Sequence, residues 1–313
     1  MIGAVLRRTG WTILVAWFVV TATFLATALI PADPAKALLG PHATTEALAR
    51  VRVHYCLDRG VVGQYGCWLD HVAHGDLGES YRSKRAVTEI IADRIWPTAQ
   101  LAFAAMCLQV MLGVPLGILA ALRHGRWQDH GATVVALIGQ SVPPFFLGTV
   151  LLYVFAYRWG WFPIGGYGTG GWDRVRHLVL PAMTLATLGV AYYARVIRTE
   201  LLDVLGEDYV RTARAKGLGE AAVIGRHALR NALGPLITLI GLELGVLLGG
   251  SVVTELIFAW PGLGRELLQA ILQLDMPLII GVVLVSTIAI AGVNLLVDLV
   301  YLAVDPRLRD DAT

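Results

Sequence analysis

Long uncharged apolar stretches dominate the chain. They run from Thr9 to Ala32, Ile95 to Leu122, Gly131 to Tyr157, Leu178 to Ala194 and Met276 to Val297, and a sixth, Ala232 to Thr254, is interrupted only by Glu243. A hydrocarbon core about 30 Å thick takes roughly 20 helical residues to cross. In lipid the backbone must satisfy its own polar groups, which a helix does within one segment. The pattern therefore predicts an all-α membrane protein with six transmembrane helices. Polar residues collect in two places. Pro31, Asp33 and Pro34 stop the first helix and open a water-exposed block that reaches about Arg94. It reads as helical pieces around Thr45 to Tyr55 and Tyr65 to His74, then a turn at Gly75-Asp76-Leu77-Gly78. The second place is a basic loop between spans four and five, Gly206 to Pro235. The expected division is an N-terminal tail and first helix (1–32), an external region (33–94), and a five-helix core (95–313) with an inner loop at 201–231.

Composition agrees: 15% of residues are charged and 56% hydrophobic, with mean hydropathy +0.65. A soluble domain carries about a quarter charged residues. The net charge of +2 lacks the basic excess of a nucleic-acid binder. Basic residues also set the orientation, because short cytoplasmic loops gather Lys and Arg while long loops are exempt. With the N-terminus inside, 13 of the 25 basic residues fall in inner segments, and only Arg158, Arg174, Arg176 and Arg265 in short outer loops. Both termini are expected in the cytoplasm. The first apolar run exceeds the 7 to 15 residues of a signal peptide, so it reads as an uncleaved anchor.

The external block holds Cys56 and Cys67. An outward-facing bacterial segment is oxidising, so a disulfide between them is allowed, with about 3 kcal/mol to be gained by closing so short a loop; the alternative is two unpaired small residues. His71 and His74 share one helical face and are candidate metal ligands, against the plainer reading of a solvated helix face. The chain has no Gly-Lys dipeptide for a phosphate-cradling loop and no H-E-x-x-H, and no G-x-S-x-G elbow. It is expected to bind no cofactor and to catalyse nothing itself. If its work needs ATP, another chain must bind it.

The basic inner loop is the most informative segment. Glu207 and Asp208 suit a helix N-terminus, Lys216 its other end, and Gly217 the left-handed position that stops a helix. These predict a short helix of about three turns, a break, and a second helix entering span five. Ala213 and Gly217, four apart, share a face on which another backbone could approach closely, with Arg211 and Arg214 on either side. Such a helix is a candidate docking element; the alternative is a helix resting on anionic lipid.

The run from Asp208 to Leu218, DYVRTARAKGL, resembles the "EAA" coupling loop of bacterial ABC importer permeases, in the form used by the dipeptide, oligopeptide and nickel permease family. In the general pattern E-A-A-x3-G-x9-I-x-L-P, the leading positions fall on Arg211, Thr212 and Ala213 and the glycine on Gly217. The end falls on His227, Ala228, Leu229 and Arg230, so the first two positions and the final proline differ. The segment R-H-x-L-R-N-A-L is similar to the peptide-permease version. Further signatures follow in order: Leu29-Ile30-Pro31-Ala32-Asp33-Pro34; Gly75 to Ser80; Leu248-Gly249-Gly250, Glu255, Phe258 and Trp260-Pro261-Gly262-Leu263-Gly264; Asp275 and Pro277; Asn294, Asp298, Tyr301 and Asp305-Pro306-Arg307.

The resemblance implies the type I importer permease fold in a bacterial inner membrane. It also implies a sister permease, two ATPases that bind ATP and Mg, and an external solute-binding protein. Tyr209, Arg211, Ala213, Arg214, Lys216, Gly217 and Leu218 would couple to an ATPase. Glu243, Glu255, Trp260, Pro261, Gly262 and Asn294 would line the translocation path or outer gate. Glu243, Asn294 and Asp298 must in any case avoid lipid, and for Asp298 a buried hydrogen-bonding role is the preferred reading. Short peptides are the expected substrate, with nickel or its chelates as the alternative. A self-contained channel or secondary transporter would show inverted repeats or several intramembrane charges, and neither is seen.

Overall fold

A computed structural model describes residues 2–28, 34–39 and 43–304. They form fifteen α-helices with two π-helical turns between them, and no strand. In chain order the helices are α1 (Ile2–Ala28), α2 (Pro34–Leu39), α3 (Thr45–His54), α4 (Val61–Ala73), α5 (Val87–Leu122), α6 (Trp127–Ser141), α7 (Pro144–Leu151), α8 (Gly171–Gly206), α9 (Asp208–Ala215), α10 (Glu220–Ala222), α11 (Leu229–Ala232), α12 (Gly234–Gly250), α13 (Val252–Ile257), α14 (Leu263–Leu272) and α15 (Met276–Val304). The π-turns occupy Leu152–Arg158 and Val223–Ala228.

Among the described residues, four helices are long and apolar enough to cross a bilayer: Thr9–Ala28 within α1, α5, α8, and Met276–Val297 within α15. The third expected span is not one straight helix. It divides into α6 and α7 with its π-turn, bent by 100°, because Pro143 and Pro144 lack N–H donors and hold the backbone ahead of them extended. Val142 and Pro143 accordingly sit at ψ 122° and 135°. The fifth expected span is shared by α11, α12 and α13, and α12 alone is about 25 Å long at 1.5 Å per residue.

The chain forms two compact units, 1–98 with 261–295 and 99–260 with 296–313, so that α5 and α15 contribute to both. In the first, Val87, Ile90 and Ile91 on the opening turns of α5 pack with Leu263 and Ala270 of α14 and with Met276, Ile279 and Val282 of α15. Asp275, 1% exposed, precedes α15 and holds the segment before α5: its carboxylate accepts from Ser80 Oγ (2.5 Å) and Tyr81 N (3.1 Å). Thr98 Oγ1 accepts from Leu263 N (2.8 Å), capping α14, and Arg94 pairs with Glu266 at 2.9 Å. Phe24 of α1 meets Tyr65 and Trp68 of α4 at 5.2 and 5.7 Å between ring centres. Cys56 and Cys67 are joined as a disulfide, with Cα atoms 6.4 Å apart.

The second unit is built on α8. At its crossing with α5, a Cβ on Gly113 would stand 2.9 Å from the Val190 carbonyl and one on Gly117 2.5 Å from that of Ala194, while Gly189 leaves room only for Gln109. Lipid gives no hydrophobic drive between helices, so close approach through small residues supplies the packing. Asp129, near the start of α6 and 2% exposed, accepts from Arg198 of α8 through Nε (2.6 Å) and a terminal nitrogen (2.9 Å), and from Gly125 N (3.1 Å). His124 Nδ1 lies 3.1 Å from the same carboxylate.

Candidate coupling loop and translocation residues

The short helix expected in the inner loop is α9, two turns long where about three were expected. Val210 and Ala213, three apart and so on one face, are buried with Val223 against Val204 and Leu205. This reverses the orientation expected for Ala213. At 5% exposure its methyl closes the joint between α9 and the end of α8, and it presents no small surface to a partner. Gly217 has φ +79° and ends the helix in the left-handed position, its N–H donating to Arg214 O at 2.9 Å.

Arg214 is occupied within the loop, donating to both Glu220 oxygens (2.7 and 3.2 Å). Its guanidinium holds the Glu220 carboxyl below the usual range. Asn231 donates to the Tyr209 hydroxyl at 2.8 Å. What remains outward is Tyr209 and Leu218, 41% and 43% exposed, with Arg211 and Lys216.

The translocation candidates are dispersed. In the second unit, Glu243 is half-buried on α12 and lines a cavity of about 230 Å³ whose other walls are apolar apart from Thr254. The side-chain amide of Gln109, fully buried on α5, donates to Leu185 O at 3.4 Å. Glu255 and Trp260 are both fully buried, which differs from a role at an open outer surface. Ser251 Oγ donates to Glu255 at 2.8 Å. Trp260 meets the Tyr167 ring edge-on at 4.9 Å; the Tyr167 hydroxyl donates to Gln100 at 2.6 Å, and Arg174 lies 4.2 Å over its face. These two anchor the turn after α13. In the first unit, Gly262 is buried ahead of α14 and Pro261 half-buried, while the Asn294 side-chain oxygen on α15 is buried without a hydrogen-bond partner. The side chain of Asp298, residues 29–33 and residues 305–307 lie outside the described residues.

His71 and His74 each turn back on α4, with Nδ1 2.9 Å from Cys67 O and 2.8 Å from Asp70 O. Among the described residues no three His, Cys, Asp or Glu side chains gather to hold a metal. Sequence reading passed over Asp129 and Gln109. Asp129 falls just outside an apolar run and Gln109 is a polar residue inside one, which is the signal each carried.

The family described as binding-protein-dependent transport system inner membrane component matches residues 113–310, and the N-terminal region of such components matches residues 1–102. The chain belongs to this family. It is a multi-pass permease subunit of an ABC importer in a bacterial inner membrane. A Brucella abortus (strain 2308) protein provisionally named a peptide transport system permease is 41% identical over 316 residues, covering 99% of this chain and 100% of that one. The glutathione transport system permease protein GsiC of Salmonella choleraesuis is 40% identical over 309 residues, 99% of each chain. Among solved structures, the inward-facing MetNI methionine ABC transporter matches 70% of the permease and 97% of its own chain with TM-score 0.54 at 18% identity. An amino acid ABC transporter structure with histidines gives 0.53 at 18%, covering 68% and 94%. At that identity the structures speak for the permease fold alone.

Proposed function

We propose that this permease carries short peptides into the cytoplasm as one half of a heterodimer, with a solute-binding protein delivering them outside and two ATPases binding ATP and Mg inside. The observation that supports the peptide reading is the identity of 40 to 41% over nearly the whole length to permeases named for peptide and glutathione transport. The coupling element is α9, through exposed Tyr209, Arg211, Lys216 and Leu218. Val210 and Ala213 join α9 to Val204 and Leu205 at the end of α8, so a push on the exposed side is carried into a 36-residue helix rather than absorbed in a loose loop. Gly217 sets where α9 stops, and Arg214 with Glu220 stiffens the return. Alternating access then follows from differential contacts of the ATPases with two states of the bundle. Glu243 contributes a polar point to an otherwise apolar wall of the path.

The test is affinity purification of the chain from native membranes with mass spectrometry of its companions, followed by uptake of labelled di- and tripeptides into proteoliposomes. Recovery of a second permease and two ATPases, with uptake that needs ATP and the binding protein, is the expected result. Recovery of the chain alone, active without ATP, overturns the assembly. ATP-driven uptake of another solute and no peptide overturns the substrate.

A further inference from the structure

The first unit contains a cavity of about 130 Å³ that the transport mechanism leaves unused. Phe24, at the end of α1, and Trp68, on α4, form part of its lining, with ring centres 5.7 Å apart. Tyr55, Tyr81 and the carboxylate-bearing Asp76 also line it, and none of the described lining residues is Lys or Arg. Two of the rings come from segments that have little local reason to stay together. The Cys56–Cys67 disulfide joins them: Tyr55 precedes one cysteine and Trp68 follows the other. Asp76 is held by its own turn, where its Oδ1 accepts from Gly78 N at 2.8 Å, and a Cβ on Gly78, which has φ +82°, would stand 3.9 Å from Tyr55 Cε1. This is a built pocket, braced covalently on one side and by a turn on the other.

We infer that this cavity is a binding site for a primary ammonium group, taken between the aromatic rings and the Asp76 carboxylate. Aromatic faces carry negative quadrupoles that attract a cation, most strongly when it is desolvated, and a carboxylate supplies a charge-assisted acceptor. His71, also in the lining, has Nδ1 against Cys67 O, so in the neutral ring Nε2 is the acceptor nitrogen. Burial, and after it the negative charges of Glu79 and Asp76, push the Tyr55 hydroxyl above its ordinary range. Two sources present this chemistry at the outer end of a first transmembrane helix: the headgroup of phosphatidylethanolamine and the N-terminus of a peptide. The site stands on its own geometry and does not rest on the peptide assignment.

The test uses the full chain purified with its partners into nanodiscs. Asp76→Asn keeps an oxygen for Gly78 N while removing the charge, and Trp68→Leu keeps apolar bulk while removing the π face. Retention of phosphatidylethanolamine over phosphatidylglycerol is read by native mass spectrometry. Binding of labelled Ala-Ala, with N-acetyl-Ala-Ala as the control, is read by equilibrium dialysis. Each variant is expected to weaken one amine probe about tenfold with an unchanged unfolding temperature. Loss confined to the lipid names the headgroup as the occupant, and loss confined to Ala-Ala names the peptide terminus. Equal retention of both amine probes by the parent and both variants overturns the site, as does a loss of Ala-Ala binding that the acetylated control shares when lipid retention is unchanged.

Discussion

Each unit of the permease pins a loop to a helix with one buried aspartate, and the two do it by different chemistry. Asp275 in the first unit is held by a hydroxyl and backbone amides. Asp129 in the second is held by the Arg198 guanidinium, with His124 beside it. Neutral donors stabilise a carboxylate without burying a second charge. An ion pair costs desolvation of both partners and leaves one stranded if the other is lost. The first arrangement suits a part that keeps one shape; the second concentrates the dependence of a helix junction on a single pair.

The largest expected effect breaks that pair. Asp129→Ala should destabilise the second unit by about 3 to 5 kcal/mol, read as a fall in thermal unfolding temperature in nanodiscs. Arg198→Met added to it should recover a large part of the loss. Absence of recovery would show that the carboxylate acts through Gly125 and not through the ion pair. In the first unit, Asp275→Ala should cost about 1 to 3 kcal/mol by leaving Ser80 and Tyr81 N without an acceptor, and Asp275→Asn, which keeps an oxygen, less. Equal damage from both would mean the charge itself matters there, erasing the contrast.

The coupling loop extends the comparison. Ala213→Arg should unseat α9 from Val204 and Leu205 and lower folded yield. Arg211→Glu with Leu218→Asp should leave the fold intact and weaken ATPase association about tenfold, measured by co-purification. A folded Ala213→Arg protein with normal association would return Ala213 to the outer face. The smallest effect is at Glu220. Its carboxyl titrates below the ordinary value of 4.5 because of Arg214, so the tie is fully present above that value and is lost as pH falls through the lowered one. Hydrogen exchange of residues 212–223 should rise by a factor of about two in Glu220→Gln at pH 7, as for an exposed pair. No difference would reduce the contact to a passive one.

Much of this was legible beforehand. The apolar runs marked the long helices, because lipid enforces length and internal hydrogen bonding on any chain that crosses it. Gly217 announced the end of α9 because few residues tolerate a left-handed backbone. The bend between α6 and α7 had its cause in view, yet two prolines inside an apolar run are compatible with a kinked span as well as with a 100° turn. Ala213 was misplaced because a small residue at helical spacing reads alike whether it meets a partner or its own chain. Only the contacts with Val204, Leu205 and Val223 distinguish the two.

The sequence by itself determined the all-helical class, the membrane setting and the position of the basic inner loop. Each of these follows from local periodicity, charge and the solvent the chain must satisfy. Tertiary structure decided which side of α9 faces inward, that Glu255 and Trp260 are closed off, and that Asp129 meets a residue 69 positions away and Asp275 one 195 positions away. It also brought Phe24, Tyr55, Trp68 and Asp76 to one cavity. Buried polar partners are chosen by the three-dimensional approach of distant segments, and no pattern along the chain encodes that distance.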